Sequence, residues 1–198
     1  MPRTVDAGQR RTAIAEAVWR VIRRDGLEHA SVRGVAAEAG LSMGSLRHWF
    51  GTQSELLAFA MRMVIDRIID RVRECPASDD ARAFVERVLG ELLPLDDDRR
   101  AESEVWLAFV ARALADPDLR VLAAESDERL REACGMLLDV LARDGQFDTA
   151  RDRAVETERL YALVDGLLVH AVITPGRGTA PRMRAVLARH LDDLRPPG

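Results

Sequence analysis

Apolar residues recur three and four positions apart along nearly the whole chain, and Gly, Pro, Ser, Thr or Asp interrupts the pattern at intervals. That spacing belongs to amphipathic helices and predicts about nine of them. The first runs over roughly 9–25, with Ile14, Val18, Val21 and Ile22 on one face; Gly26 is placed to end it and Leu27 to fold back over the end. Ser31 caps a short helix over 32–39 that Gly40 stops, and Ser42 caps another over 43–49 that ends near Gly51. The capping box "TQSE", Thr52 to Glu55, opens a long fourth helix that reaches Glu74, before Pro76. Beyond it, Ser78 caps a fifth helix with Phe84, Val85, Val88, Leu89 and Leu92 on one face, and Pro94 ends it. A sixth lies in "DDDRRAESEVWLAFVARALA". "DPDL", Asp116 to Leu119, starts a seventh that reaches Gly145. An eighth covers about 149–173 and a ninth runs from near Thr179 to the prolines at 196 and 197. No strand-like alternation and no internal repeat appears, so the fold class is all-α.

Long helices give way to short ones in one place, "ASVRGVAAEAGLSMGSLRHWFGTQSELL", residues 30–57. Two brief helices joined through Gly40, Leu41 and Ser42 make a helix-turn-helix. Ala36, Ala37 and Leu46 are compact enough to let the two cross closely, and Gly40 permits a left-handed turn. A helix about 10–12 Å across fits a B-DNA major groove about 12 Å wide, with the leading residues of the second helix meeting base edges. The predicted architecture is an N-terminal three-helix DNA-binding domain over 1–51 and a helical body over 52–198. The fourth helix, 53–74, connects them.

Charge sharpens this division. Residues 1–51 carry eight Arg against five acids, net +3, whereas the remainder carries 21 Arg against 28 acids, net −7. A basic quarter on an acidic body suggests that only the first part meets a polyanion. All 29 basic residues are Arg, a bias that suits phosphate and guanine recognition and equally follows from codon usage. No apolar run is long enough for a transmembrane helix and no signal-peptide pattern opens the chain. Cys75 and Cys134 lie far apart, as reduced core thiols would. The expectation is a cytoplasmic protein without membrane association.

Residues 10–57 resemble the DNA-binding domain of the TetR family of transcriptional regulators, with Gly40, Ser42, Gly44, Leu46, Phe50 and Leu56–Leu57 in register. "SLRHWF", "EVWLAFVARALADPDLR" and "LVDGLLVHAV" are similar to the BetI-type branch of that family. The resemblance implies a homodimer that binds a palindromic double-stranded DNA operator and releases it on binding a small-molecule effector, with 52–198 as the ligand-binding and dimerisation domain; an activator of the same fold, or a non-DNA-binding adaptor, is the alternative. Departures from the family pattern are Arg47 at its frequent Tyr, Trp49 at its second aromatic, Gln53 at its usual Lys, and Gly34 where an acidic residue is common.

Met43, Gly44, Ser45 and Arg47 are the candidates for base contact, Gly44 either by letting the backbone approach DNA or by a steric role in the turn. Ser31 and Ser42 are caps that also face phosphate, and Arg33, Thr52 and Gln53 complete the predicted DNA-facing set. His48 and Trp49 sit beside no carboxylate, cysteine or second histidine, so they read as backbone-contacting residues. In the body, Met61, Phe84, Glu104, Trp106, Phe109, Val110, Met136 and Tyr161 are candidate linings of an effector pocket, although a filled core has the same periodicity. The eighth helix is apolar nearly all round, so one face should meet its own subunit and the other a partner. Leu163, Gly166, Leu167 and His170, with Val186, Leu187 and Leu191 of the ninth, form the predicted dimer interface, a four-helix bundle on a two-fold axis. The chain has no Glu-x-x-His pair, His-Glu-x-x-His, Cys-x-x-Cys, P-loop or Gly-x-Gly-x-x-Gly; no enzymatic activity, metal or cofactor is expected.

Overall fold

Helix ends in this chain are set by side chains that accept backbone N–H groups and by glycines that turn the chain out. The computed structural model describes the backbone of residues 3–26 and 29–197, with side chains from residue 10. It contains nine α-helices among the described residues: α1 Arg3–Asp25, α2 Val32–Glu38, α3 Met43–Arg47, α4 Gln53–Glu74, α5 Ala81–Glu91, α6 Asp97–Ala113, α7 Pro117–Arg143, α8 Arg153–Ile173 and α9 Ala180–Asp193. No strand occurs among them. The all-α class therefore holds. The predicted fold-back of Leu27 lies outside the described residues.

Several boundaries differ from the sequence expectation for local reasons. α1 begins at Arg3 rather than near residue 9, since Gly8 raises the helix free energy by only about 1 kcal/mol. Ser78 is not the cap of α5. Asp80 holds that position and its carboxylate accepts from the Ala83 N–H at 3.1 Å, while the Ser78 hydroxyl accepts from Asp80 N at 3.2 Å and shapes the approach. α8 starts at Arg153, not near 149, because Asp152 accepts from both Ala154 N and Val155 N, at 2.9 and 3.2 Å. At the far end of α2, Gly40 adopts φ +65°, and Leu41 N donates to Ala36 O at 2.9 Å, which closes a Schellman turn and sends the chain into α3.

The chain divides into two compact units, Met1–Asp66 with Glu104–Arg120, and Arg67–Ser103 with Val121–Gly198. In the first, α1 packs on α2 and α2 on α3. Its buried apolar residues include Ile14, Val18 and Val21 of α1, Val35 and Ala36 of α2, Leu46 of α3 and Leu56, Met61 and Val64 of α4. In the second, a continuous core joins Val85 and Leu89 of α5, Leu138 and Leu141 of α7, Leu160 and Val164 of α8, and Met183, Leu187 and Leu191 of α9. Cys134 belongs to this core, and burial pushes its thiol up to about 12, which keeps it protonated and unreactive.

An ionic network ties the second unit together. Glu102 is 3% exposed and accepts from Arg71 at 2.8 and 2.6 Å and from Arg67 at 3.2 Å. Glu91 accepts from Arg71 at 2.8 Å and Arg99 at 3.2 Å, so α4, α5 and α6 share one charge cluster. Arg82, 9% exposed, donates from α5 to Asp192 at 3.0 Å and to Ala188 O at 2.6 Å, which ties α5 to the last two turns of α9.

The reassignment of the α5 cap is testable. Asp80→Ala should destabilise the protein by about 1 kcal/mol, and Ser78→Ala by clearly less, in chemical denaturation followed by circular dichroism.

Candidate nucleic-acid interface

The outward face around α3 is built by sealing its inward one. Leu46 is wholly buried and Phe50, just after the helix, is 6% exposed. The Phe50 ring packs on Phe59 of α4 at 5.0 Å, and the Arg11 guanidinium lies 5.9 Å above Phe59. With one face anchored, Ser42, Met43, Gly44, Arg47 and His48 are exposed, and Ser45 and Trp49 half-buried. The Ser42 hydroxyl accepts from Ser45 N at 3.1 Å, which uses an oxygen lone pair and leaves its O–H free to donate. Ser31 does the same for α2 with Gly34 N at 3.0 Å.

Gly34 has a structural cause. A Cβ there would stand 2.6 Å from the His29 carbonyl oxygen, closer than any side chain tolerates, so the acidic residue common at this position has no room. At Gly44 a Cβ would meet nothing nearer than the Ser42 hydroxyl at 4.0 Å. Its own fold leaves that position open.

At the head of α4 the capping box forms one residue out of register. Thr52 accepts from Glu55 N at 3.1 Å, while the Glu55 carboxylate reaches past Thr52 to accept from Gly51 N at 2.7 Å. Gln53 donates through Nε2 to Ala30 O at 3.0 Å, so its amide fastens the start of α4 to the residue ahead of the α2 cap. Ser54 donates to the Asp116 carboxylate, and that bond holds Asp116 below the usual carboxylate range.

Arginine is divided between two tasks here. Arg20 donates to Glu38 at 2.8 Å and Arg24 to the other Glu38 oxygen at 2.8 Å, clamping α1 to α2. These bonds, from Arg20 and then Arg24, hold the Glu38 carboxyl below its ordinary range. Arg33 and Arg47 are exposed and form no ion pair with any described residue. Two uncompensated guanidiniums therefore stand exposed, one in the first turn of α2 and one at the last residue of α3, which suits a phosphate-lined duplex.

Similarity to known proteins points the same way. Residues 81–196 match the family model described as BetI-type transcriptional repressor, C-terminal. The chain is 40% identical over 195 residues to the HTH-type transcriptional regulator PksA of Bacillus subtilis strain 168, covering 98% of this chain and 94% of that protein. It belongs to the TetR family of transcriptional regulators.

Among solved structures, a transcriptional regulator from Rhodococcus sp. Rha1 is 30% identical with a TM-score of 0.78, covering 93% of this chain and 95% of that one. A transcriptional regulator from Saccharomonospora viridis, in complex with choline, is 27% identical with a TM-score of 0.80 over 94% and 95% of the two chains. As a TetR-family member of BetI type, the chain has the N-terminal helix-turn-helix and C-terminal helical domain seen in its relatives. No helix among the described residues is long and apolar enough to cross a membrane.

The expected effector-pocket residues are divided between the two units. Met61, Glu104, Trp106, Phe109 and Val110 belong to the first unit and Phe84, Met136 and Tyr161 to the second. Met61 and Phe109 are fully packed at 3% and 0% exposure, with Trp106 tilted against Phe109 at 6.4 Å. Phe84 packs on the second core, Tyr161 donates to Asp127, and Met136 is 60% exposed. None of the eight lines a cavity of about 470 Å³ in the first unit, walled by the rings of Trp49, Phe50 and Phe59 with Arg11 and Arg62 beside them. Sequence periodicity offered no signal for that cavity, because its walls come from three helices and a loop.

The expected interface divides as well. Leu187 and Leu191 are 3% and 0% exposed and pack in the core of their own subunit. They are removed from the interface set: a side chain sealed inside one chain has no surface left for another. Leu163, Leu167 and Val186 are half-buried, His170 is exposed, and a Cβ at Gly166 would meet nothing within 4 Å.

The clamp gives a pH dependence. Because Glu38 titrates below its ordinary value, its contribution is complete above the usual glutamate pKa of about 4.3 and is lost as pH falls through the lower folded value. Amide exchange of α2, corrected for intrinsic rates, should accelerate over that acid interval. Glu38→Gln should exchange faster already at neutral pH and lose the dependence.

Proposed function

We propose that this TetR-family regulator is a homodimeric repressor that holds a palindromic operator through two copies of α3 and releases it when a small-molecule effector binds. Residues 1–51 serve as the DNA-binding domain and 52–198 as the ligand-binding and dimerisation domain, with α4 connecting them. The observation that carries this reading is the pair Arg33 and Arg47, exposed and without ion-pair partners while Arg20 and Arg24 are committed inside the fold. Arg47, Ser45 and Met43 read bases, Gly44 lets the backbone approach, and Ser31, Arg33, Ser42, His48, Trp49 and Thr52 meet the sugar-phosphate strands. Gln53 adds its contribution by positioning, through its bond to Ala30 O.

Dimerisation sets the spacing. Two recognition helices on one duplex face must lie about 34–36 Å apart, or a multiple. The outer face of α8 suits such an interface: Ile173 is 69% exposed, Leu163 and Leu167 are half-buried, and Gly166 leaves an open track. The choline bound by the Saccharomonospora viridis regulator is compatible with an effector for this chain. Release requires a coupling of only about 1–3 kcal/mol between effector and operator, and α4 is the element placed to carry it.

Gel shift with the DNA upstream of the protein's own coding region, repeated with candidate metabolites, tests the reading directly; absence of a retarded complex at low salt overturns it. Arg47→Ala should lose about 1–3 kcal/mol of discrimination between operator and random duplex, whereas Arg33→Ala should weaken both alike and lower the salt slope by about one. Gly166→Arg should convert the dimer to a monomer in sedimentation without lowering the subunit's secondary structure, since a Cβ at that position would meet nothing within 4 Å.

A further inference from the structure

Away from every residue assigned above to DNA or to the effector, a second cleft of about 580 Å³ lies between α5 and α9, within one unit of the fold. Its volume falls in the range of small-molecule sites. Its apolar lining is Leu93 and Leu187, both core residues, with the half-buried Leu95. Its walls carry small residues. Gly90 leaves room where a Cβ would come 3.5 Å from Leu95, and Ala185 contributes only a methyl group.

The charges around this cleft do not cancel. Glu86 receives Arg82 at 2.8 Å, and Glu91 receives Arg71 at 2.8 Å and Arg99 at 3.2 Å. Both carboxylates are thus neutralised from within the fold, and Arg99 is itself held by Asp96 at 2.9 Å and by Gly90 O at 2.8 Å. Arg87 and Arg184 remain. Arg87 donates only to the Pro76 carbonyl at 3.1 Å, and Arg184 has no carboxylate within ion-pair distance among the described residues. An apolar floor beside two uncompensated guanidinium groups is the inverse of a site for an organic cation.

We propose that the α5–α9 cleft is a binding site for an amphipathic carboxylate, a medium-chain acyl or aryl acid. The apolar body lies along Leu93, Leu95 and Leu187, and the carboxylate is held by Arg87 and Arg184. Guanidinium is suited to this task because its N–H fork matches the two oxygens of a carboxylate. Leucines remove the body of the ligand from water, so the acid group alone is an insufficient ligand.

Octanoate is the probe, titrated calorimetrically into the full-length protein without DNA. Saturable binding at one molecule per subunit is expected. Acetate, which lacks the apolar body, and octyltrimethylammonium, which reverses the charge, should give no saturable heat. Arg87→Gln and Arg184→Gln should each weaken octanoate about tenfold, the value of one charge-assisted hydrogen bond. Both positions are exposed, so the variants should keep the parent melting temperature. Ala185→Leu, which fills the cleft from an exposed helical position, should abolish binding while operator affinity stays unchanged. No saturable octanoate binding at millimolar concentration overturns the proposal, as does binding that survives in the Arg87→Gln, Arg184→Gln double variant. Because the readout uses neither operator nor effector, its failure leaves the DNA-binding reading intact, and failure of the gel shift leaves this one intact.

Discussion

A helix of five residues has almost no stability of its own, because nucleating the first turn is less favourable than the few hydrogen bonds it closes. α3 is such a helix, and its existence depends on the complete burial of Leu46 and the near-complete burial of Phe50. Burying a leucine-sized side chain contributes about 1.5–3 kcal/mol, more than the helix can supply by itself. The anchor also fixes direction. With the inner face held, the Ser42 cap and the residues after it have one orientation to take. The back of α3 is packed, and its front is exposed for the same reason.

The arginines follow a related logic. Lacking lysine entirely, the chain uses one side-chain type both as structural cross-link and as surface cation. Arg20 and Arg24 close α1 onto Glu38; Arg67, Arg71 and Arg99 build a network around Glu91 and Glu102; Arg82 fastens α5 to the end of α9. Glu102 and Arg82 are the buried members; buried pairs add little net stability, yet losing one partner typically costs about 3–5 kcal/mol because a charge is stranded. They therefore specify how helices meet. Net charge along the sequence registers none of this division, since a committed guanidinium and a free one count equally.

α4 connects these themes. Its first half carries Leu56, Met61 and Val64 of one core and the ring of Phe59 behind α3, while Arg67 and Arg71 in its second half enter the network of the other unit. Both sets of contacts lie on one continuous helix from Gln53 to Glu74. A TetR-family regulator that responds to an effector needs an element of this kind, since coupling requires two sites to bias the same physical part.

The helix count, the all-α class and the helix-turn-helix were legible in the sequence because caps, glycine stops and apolar spacing are local signals that act within a turn or two of chain. Gly40, Ser31 and Ser42 do in the fold what their residue types allow, and the resemblance over 10–57 points to the family from residue types alone. Long-range facts were not legible. Even locally, which of Ser78 and Asp80 caps α5 depended on which of two acceptors, two residues apart, meets the Ala83 N–H. Leu187 and Leu191 read as interface but lie in the core, because periodicity shows that a helix has an apolar face and not which neighbour covers it. The cavity walls and the sorting of arginines into paired and unpaired were settled only when distant helices met, since burial and ion pairing are properties of positions in space that no single segment contains.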